Sequence, residues 1–120
     1  MNKTSVALAM LASCVLAAAN AEAQCTYPSR IDIPNGSTAT KEEMLAARDT
    51  VKQYMATMNE YLDCLEAETA AAAAPDEDPA VTTERKALMA KKYNAAVEQL
   101  HTVAESFNVE LRTYKARDSE

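Results

Sequence analysis

Three cysteines and one histidine are the residues best suited to chemistry in this chain of 120 amino acids. His101 has no cysteine or serine at a spacing typical of a nucleophile–base pair, so a solvent-exposed position on a helix is the simpler interpretation. Met55 and Met58 could offer thioethers to Cu(I), but methionine at helical spacing usually fills a core. The acidic run at residues 76–78 lacks the spaced oxygen ligands of a calcium loop. We therefore expect no catalytic, cofactor-binding or metal-binding residue, and no enzyme.

The first 23 residues have the form of a secretory signal peptide. Lys3 supplies a positive start, and residues 6–19 form an uncharged, largely apolar run. This run is shorter than the roughly 20 residues that a transmembrane helix needs. Ala21 and Ala23 stand at the −3 and −1 positions of a cleavage site. We expect cleavage before Gln24 and a mature chain without a transmembrane span.

Three alternatives to this cleavage are open. Ala19-Asn20-Ala21 is a second site, which would move the start of the mature chain to Glu22. An uncleaved segment would act as a membrane anchor. Residues 11–14 resemble a lipoprotein box, which would carry a lipid on Cys14. The apolar run continues beyond Cys14, whereas such a box normally ends it, so we favour cleavage before Gln24 and a periplasmic or secreted protein.

Cys25 and Cys64 are the cysteines that remain after this cleavage. Export to an oxidising compartment favours a disulfide between them. Two free thiols or half of a metal site are the alternatives, but a metal site needs more ligands than two cysteines and His101 readily supply. We therefore predict a Cys25–Cys64 disulfide.

The chain is acidic, with a formal net charge of −6 that removal of residues 1–23 leaves unchanged, because Lys3 and Glu22 leave together. Phosphate backbones and anionic lipid headgroups repel such a chain, so nucleic acid is not an expected partner. The length allows one domain, and aromatic residues at 5% restrict the size of its core. Tyrosines could line a groove for a small molecule, although packing between helices is the simpler interpretation. These tyrosines are Tyr54, Tyr61 and Tyr93.

Glycine and proline divide the mature chain into an arm and two helices. The single glycine and two prolines fall within residues 24–39, which we expect to form an extended N-terminal arm. Two further prolines flank the acidic run. The remaining stretches contain neither residue, which predicts helices over about 40–74 and 79–116.

Both predicted helices have start signals. Thr40 and Glu43 fit a capping box, in which each side chain bonds to the other residue's backbone N–H. Asp78 fits the N-cap of the second helix, with Pro79 at the first helical position.

Apolar residues recur every three or four positions along both helices, which is the 3.5-residue repeat of a coiled-coil seam. If the chain folds back about Glu77, every seam residue of the first helix meets one of the second. The predicted pairs are Leu65–Met89, Tyr61–Tyr93, Met58–Ala96, Tyr54–Leu100, Val51–Val103 and Ala47–Phe107. The loop position and the repeat agree independently. We therefore predict an all-α, coiled-coil-like, antiparallel two-helix hairpin over residues 40–120.

Further apolar residues at seven-residue spacing make the stripe wider than a two-helix seam requires. They are Met55, Leu62, Ala90, Val97, Ala104 and Leu111. The arm is long enough to run back along the first helix to Cys64. We expect it to hold Ile31 and Ile33 against Met55 and Leu62. A second copy of the chain is the other candidate to cover this surface.

Several local sequences give the chain a resemblance to small exported bacterial helical proteins, of proteobacterial type, with no known function. They are Cys25, Ile33-Pro34-Asn35-Gly36, Glu43-Met44-Leu45, Tyr61-Leu62-Asp63-Cys64-Leu65 and Leu111-Arg112-Thr113-Tyr114-Lys115. The resemblance covers most of the mature region. It implies the envelope of a Gram-negative bacterium as the setting and assigns no activity.

We therefore expect a non-enzymatic periplasmic structural or interaction protein without a cofactor. It would present helix faces to a protein partner or to a second copy of itself, as amphipathic helices do in helix-on-helix recognition. The alternative is a periplasmic carrier that binds a soft metal or a small apolar ligand between the helices and the arm.

Overall fold

A computed structural model of the chain describes residues 24–72 and 75–118. These residues form two α-helices and no strand. Helix α1 spans Lys41–Ala71, helix α2 spans Pro79–Asp118, and the two pack against each other. The predicted all-α two-helix hairpin is confirmed. Helix α2 continues two residues past the predicted end at 116.

The start of α1 is the predicted capping box. Thr40 N donates to Glu43 Oε2 at 2.7 Å, and Glu43 N donates to Thr40 Oγ1 at 3.2 Å. Two backbone N–H groups that a helix N-terminus leaves unpaired are satisfied in this way. At the start of α2, Ala80 N donates to Asp78 Oδ1 at 2.8 Å, so Asp78 is the N-cap and Pro79 the first helical residue.

The core consists mainly of seam residues that the heptad repeat predicts, together with Ala39 and Leu62. Met58, in the middle of α1, is fully buried, and Ala96 of α2 is equally inaccessible. Leu65 and Met89 line the same groove, and the Tyr54 hydroxyl lies near the side chain of Gln99, the residue beside its predicted partner. These contacts are consistent with the predicted register at two levels of the hairpin. The other buried members are Ala39, Met44, Ala47, Val51, Tyr61, Leu62, Val103 and Phe107.

The arm, residues 24–39, lies against both helices. Cys25, Ile31 and Ile33 pack against the core, and the structure gives residues 24–35 no helix or strand. A turn at residues 36–38 then leads into α1, with Ala39 N donating to Asn35 O at 2.8 Å. The extended conformation expected for the arm stays a prediction.

The predicted signal peptide, with Cys14 and both cleavage sites, lies outside the described residues. In the described part of the chain, neither helix has a long enough apolar stretch to cross a membrane.

Candidate functional site

One end of the arm is joined to the half of α1 nearer the loop by the predicted Cys25–Cys64 pair. The two cysteines form a disulfide in the structure, with their Cα atoms 5.6 Å apart. Cys25 N also donates to Glu68 Oε1 at 3.3 Å, one turn further along α1. The arm therefore approaches α1 on the side that carries Cys64 and Glu68.

Aromatic packing continues this contact towards the seam. The ring of Tyr27 meets the ring of Tyr61 edge to face, with centroids 5.1 Å apart. Beneath it, the Tyr54 hydroxyl is buried and forms no hydrogen bond within the described residues. Burial, and then the neighbouring Tyr27, raise the pKa values of both Tyr54 and Tyr61. Both hydroxyls therefore stay protonated at neutral pH, and their rings serve packing.

The other end of the arm is fixed to the C-terminal part of α2. Gly36 N donates to Glu110 Oε2 at 2.7 Å. Arg117 Nη1 and Nη2 donate to the carbonyls of Ser37 and Ala39 at 2.8 and 2.6 Å. A Cβ on Gly36 would lie 2.8 Å from Glu110 C and 2.9 Å from Tyr114 N, so glycine permits this close approach of two backbones.

The expectation that the arm covers Met55 is wrong. Cys64 follows Met55 by nine residues, which at 3.6 residues per turn is two and a half turns. The two side chains therefore lie on opposite sides of α1, and the part of the arm that is joined to Cys64 lies on the side away from Met55. Met55 is 36% exposed, whereas Leu62 is buried in the core.

The hairpin consequently has two unlike faces. The arm face carries Cys64 and Glu68 with Arg85 and Lys92 of α2, all of which line one groove. The far face carries the extra apolar residues that the sequence singled out. On each helix, this face contains residues that follow one another at intervals of seven. They are Arg48, Met55, Leu62 and Thr69 of α1, and Ala90, Val97, Ala104 and Leu111 of α2.

The far face has no covering segment among the described residues. Near the loop it forms an open groove of about 440 Å³ between Glu66 and Thr69 of α1 and Ala90 of α2. Further along it, Val97 is half-buried and Leu45 is 44% exposed. A surface of this kind, apolar in its centre and charged at its edges, suits contact with another helix pair.

The arm face forms a larger groove, of about 860 Å³, beyond the disulfide. Apolar side chains of Ala67, Ala71 and Met89 line it, with Arg85 and Lys92 on the α2 side. Arg85 is itself held in place, because its Nη1 donates to Ala72 O at 2.7 Å and its Nη2 forms an ion pair with Glu77. Glu77 has a lowered pKa, chiefly through the hydrogen bond from Arg85.

The residues that were candidates for catalysis, metal binding or ligand binding do not lie together in one site. His101 is exposed on α2. Met58 is fully buried in the seam while Met55 faces solvent, so the two do not form an accessible thioether pair. Tyr93 lines the far-face groove, whereas Tyr54 and Tyr61 belong to the core.

Cys25, Cys64 and Glu68 have potential ligand atoms within 4.8 Å of one another. Both sulfurs are engaged in the disulfide and offer no thiolate, which is the form that binds metals. This cluster therefore works as a covalent and hydrogen-bonded attachment of the arm in the described structure.

Sequence reasoning missed the residues that fix the arm and the loop, namely Glu68, Arg85, Glu110 and Arg117. Each is an ordinary charged residue in a helix, and its partner is a distant backbone or side-chain atom. Gly36, as the only glycine, was the available signal of a close backbone approach.

No protein-family model, curated protein or solved structure matches the chain.

Proposed function

We propose that this chain is a non-enzymatic periplasmic protein that works by presenting the far face of its hairpin to another protein chain. The single observation that carries the proposal is the asymmetry of the two faces. The arm is fixed to one face by a disulfide, whereas the other is apolar and has no cover among the described residues.

The support is energetic. A two-helix hairpin of this size buries little apolar surface, so it depends on additional cover for stability. The arm supplies that cover on one side through Ile31, Ile33 and Tyr27. Burying the far face against a partner would add the missing third layer, since removing apolar area from water stabilises a complex at about 25 cal/mol per Å² before the costs of association.

Site-specific photo-crosslinking in cells tests this proposal. A benzophenone amino acid in place of Met55 probes the far face at an exposed position. The same amino acid in place of Ala56 is the matched control, since Ala56 is exposed and points about 100° away around α1. We expect protein adducts from position 55 and not from position 56.

Equal labelling at both positions, or none at either, would contradict a specific protein interaction through the far face. The intact mass of the exported form tests whether the protein is exported with cleavage of the signal peptide. We expect a mass that corresponds to a chain starting at Gln24. A lipid-sized addition on Cys14 would instead place the protein at a membrane.

The arm-face groove favours a second candidate function, a carrier of a small apolar ligand. Its apolar floor and Lys92, which has no ion pair among the described residues, would suit an aliphatic molecule with an anionic head. Native mass spectrometry of the exported protein would reveal a retained ligand. Lys92→Ser should then weaken retention, while Lys91→Ser, on an exposed neighbour outside the groove lining, should not.

A further inference from the structure

We infer that the occupant of the far face is a second copy of this chain, packed antiparallel so that the loop of each copy lies beside the end of the other at which α1 begins and α2 ends. This inference rests on the proposed function and names the partner. The charge pattern of the far face and its dimensions carry it.

Basic residues collect on the far face at the end where α1 begins and α2 ends. Lys41 precedes Met55 by two heptads, Lys52 precedes Glu66 by two heptads, and Lys115 follows Leu111 by one turn. All three lysines are exposed, and the structure shows no ion pair for them within residues 24–72 and 75–118. Arg48 lies among them but is already paired with Asp49 at 2.9 Å.

Acidic residues collect at the loop end. Glu66 lines the far-face groove there, and Asp76 is exposed in the loop. Lys86 lines the same groove and balances Glu66 locally, Glu77 is paired with Arg85, and Asp78 caps α2. Asp76 therefore supplies the negative charge of the loop that no ion pair neutralises among the described residues. A parallel pair of copies would bring lysine against lysine, whereas an antiparallel pair brings each basic end to an acidic one.

A single two-fold axis can bring the basic residues of each copy opposite the acidic residues of the other. Placed at the level of Met58 and Asn59, it sets Lys52 opposite Glu66 of the other copy and Lys41 opposite Asp76. The same axis sets the exposed Met55 at the level of Leu62, which is itself buried in the core, so Met55 is the apolar side chain that this contact would cover. In α2 it falls beside Ala96, and Lys115 also lies opposite Asp76. A two-fold interface is self-complementary, and this one face supplies both halves of each pair.

The size of the face also fits. Helix α1 has 31 residues, so the face is about 46 Å long, and two helices side by side make it roughly 20 Å wide. Two copies together would bury roughly 1,800 Å², within the range of about 1,200–2,000 Å² that specific interfaces bury. A rival stripe on α2, formed by Val81, Leu88 and Val109, is exposed but has one apolar position per heptad, too few for a seam.

Zero-length carbodiimide crosslinking of the mature protein tests the pairing. Within one chain, Lys52 and Glu66 lie about 21 Å apart along α1, too far to be joined directly. A Lys52–Glu66 crosslink in a mixture of unlabelled and ¹⁵N-labelled protein should therefore appear in mixed-isotope form. A monomeric mass by light scattering at micromolar concentration, or crosslinks that join the same end of two copies, would overturn the inference.

Charge exchange supplies the control. Lys52→Glu should weaken dimerisation roughly five- to thirtyfold, because the pair occurs twice in the dimer. Adding Glu66→Lys should restore it, while Asp63→Lys, on the exposed outer side of α1, should leave it unchanged. If the protein is a monomer and the benzophenone at position 55 still crosslinks to a different protein in cells, the inference of a second copy is wrong but the proposed function stands. If the protein is a monomer and position 55 gives no adducts, both the inference and the proposed function are wrong.

Discussion

The two ends of the hairpin are held together by different means. At the end where α1 begins, the arm contacts both helices, and Gly36, Arg117 and a capping box fix the turn. At the loop end, the last buried residue of α1 is Leu65, and Met89 and Tyr93 of α2 are only half-buried. The loop end depends on Arg85, which contacts Ala72 and Glu77.

The difference shows what a third layer contributes to a thin fold. Towards the loop the apolar heptad pattern ends at Leu65 of α1 and Met89 of α2, where Glu68 and Lys86 take the next positions. Burial is deepest where the pattern continues and the arm lies beside it. Beyond the disulfide, α1 is alanine-rich, and alanine forms helix well but offers little surface to bury. Stability in this hairpin should therefore rise from the loop end to the arm-covered end.

Removing the disulfide should have the largest effect on this difference. Cys25→Ser with Cys64→Ser opens a loop with a sequence separation of 39 residues. We expect the free energy of unfolding to fall by about 3–4 kcal/mol and the melting temperature by about 10 °C or more. Far-ultraviolet circular dichroism should keep most of its helical signal, because the seam does not pass through the disulfide. Chemical reduction of the unmodified protein should reproduce the shift, and an unchanged melting temperature would contradict this role of the arm.

Gly36→Ala should produce the next largest effect. The added methyl group meets backbone atoms of Glu110 and Tyr114, which a helix cannot move aside cheaply. We expect a loss of about 1–3 kcal/mol in urea unfolding, as for other overpacked sites. The control is Thr38→Ala, at an exposed position two residues away, with an expected change within about 0.5 kcal/mol. Equal effects of the two substitutions would argue against close docking of the turn on α2.

Arg117→Met should have a smaller effect. It removes two hydrogen bonds to the turn and the contact with the Tyr114 ring, 5.1 Å from the guanidinium carbon, but retains an apolar stem. The side chain is exposed, so a loss of about 1 kcal/mol is expected. Arg112→Met, which removes an exposed 3.4 Å pair with Glu105, should change stability by much less. If Arg112 proved the more important of the two, the turn would not depend on Arg117.

The smallest effect concerns pH at the loop end. The pKa of Glu77 lies below its ordinary 4.5, chiefly because Arg85 bonds to the ionised form. A carboxyl with a lowered pKa in the folded state contributes stability above its unfolded pKa, and this is lost as the pH falls through the folded value. In the parent protein, amide hydrogens of residues 80–88 should therefore lose some protection from exchange as the pH falls below about 4.5. Glu77→Gln should remove this pH dependence. Identical exchange profiles of parent and variant across that range would contradict the contribution.

The parts of the fold that could be predicted are those determined by local repeats. The capping box needs only Thr40 and Glu43 three residues apart, and the seam needs only apolar residues at heptad spacing. Both are confirmed, as are the hairpin and the Cys25–Cys64 pair. Function, enzymatic or not, and the exported setting stay predictions.

The side of the hairpin on which the arm lies could not be predicted from reach alone. A length calculation shows that residues 25–40 can span to Cys64, but the angular position of Cys64 around α1 decides which face is covered. The spacing of nine residues between Met55 and Cys64 holds that information, because it places the two side chains on opposite sides of α1. Arg117 and Glu110 act on backbone atoms of the turn, and no sequence pattern marks such partners.

The disulfide also gives the chain a mechanical property. Residues 25–64 form a closed covalent ring that contains the arm and most of α1. Under a pulling force on the two ends of the protein, this ring cannot be drawn out, and the load passes directly from Cys25 to Cys64. Helix α2 and the end of α1 would extend, while about 130 Å of contour length, 39 residues at roughly 3.4 Å each, would stay hidden until the bond is reduced.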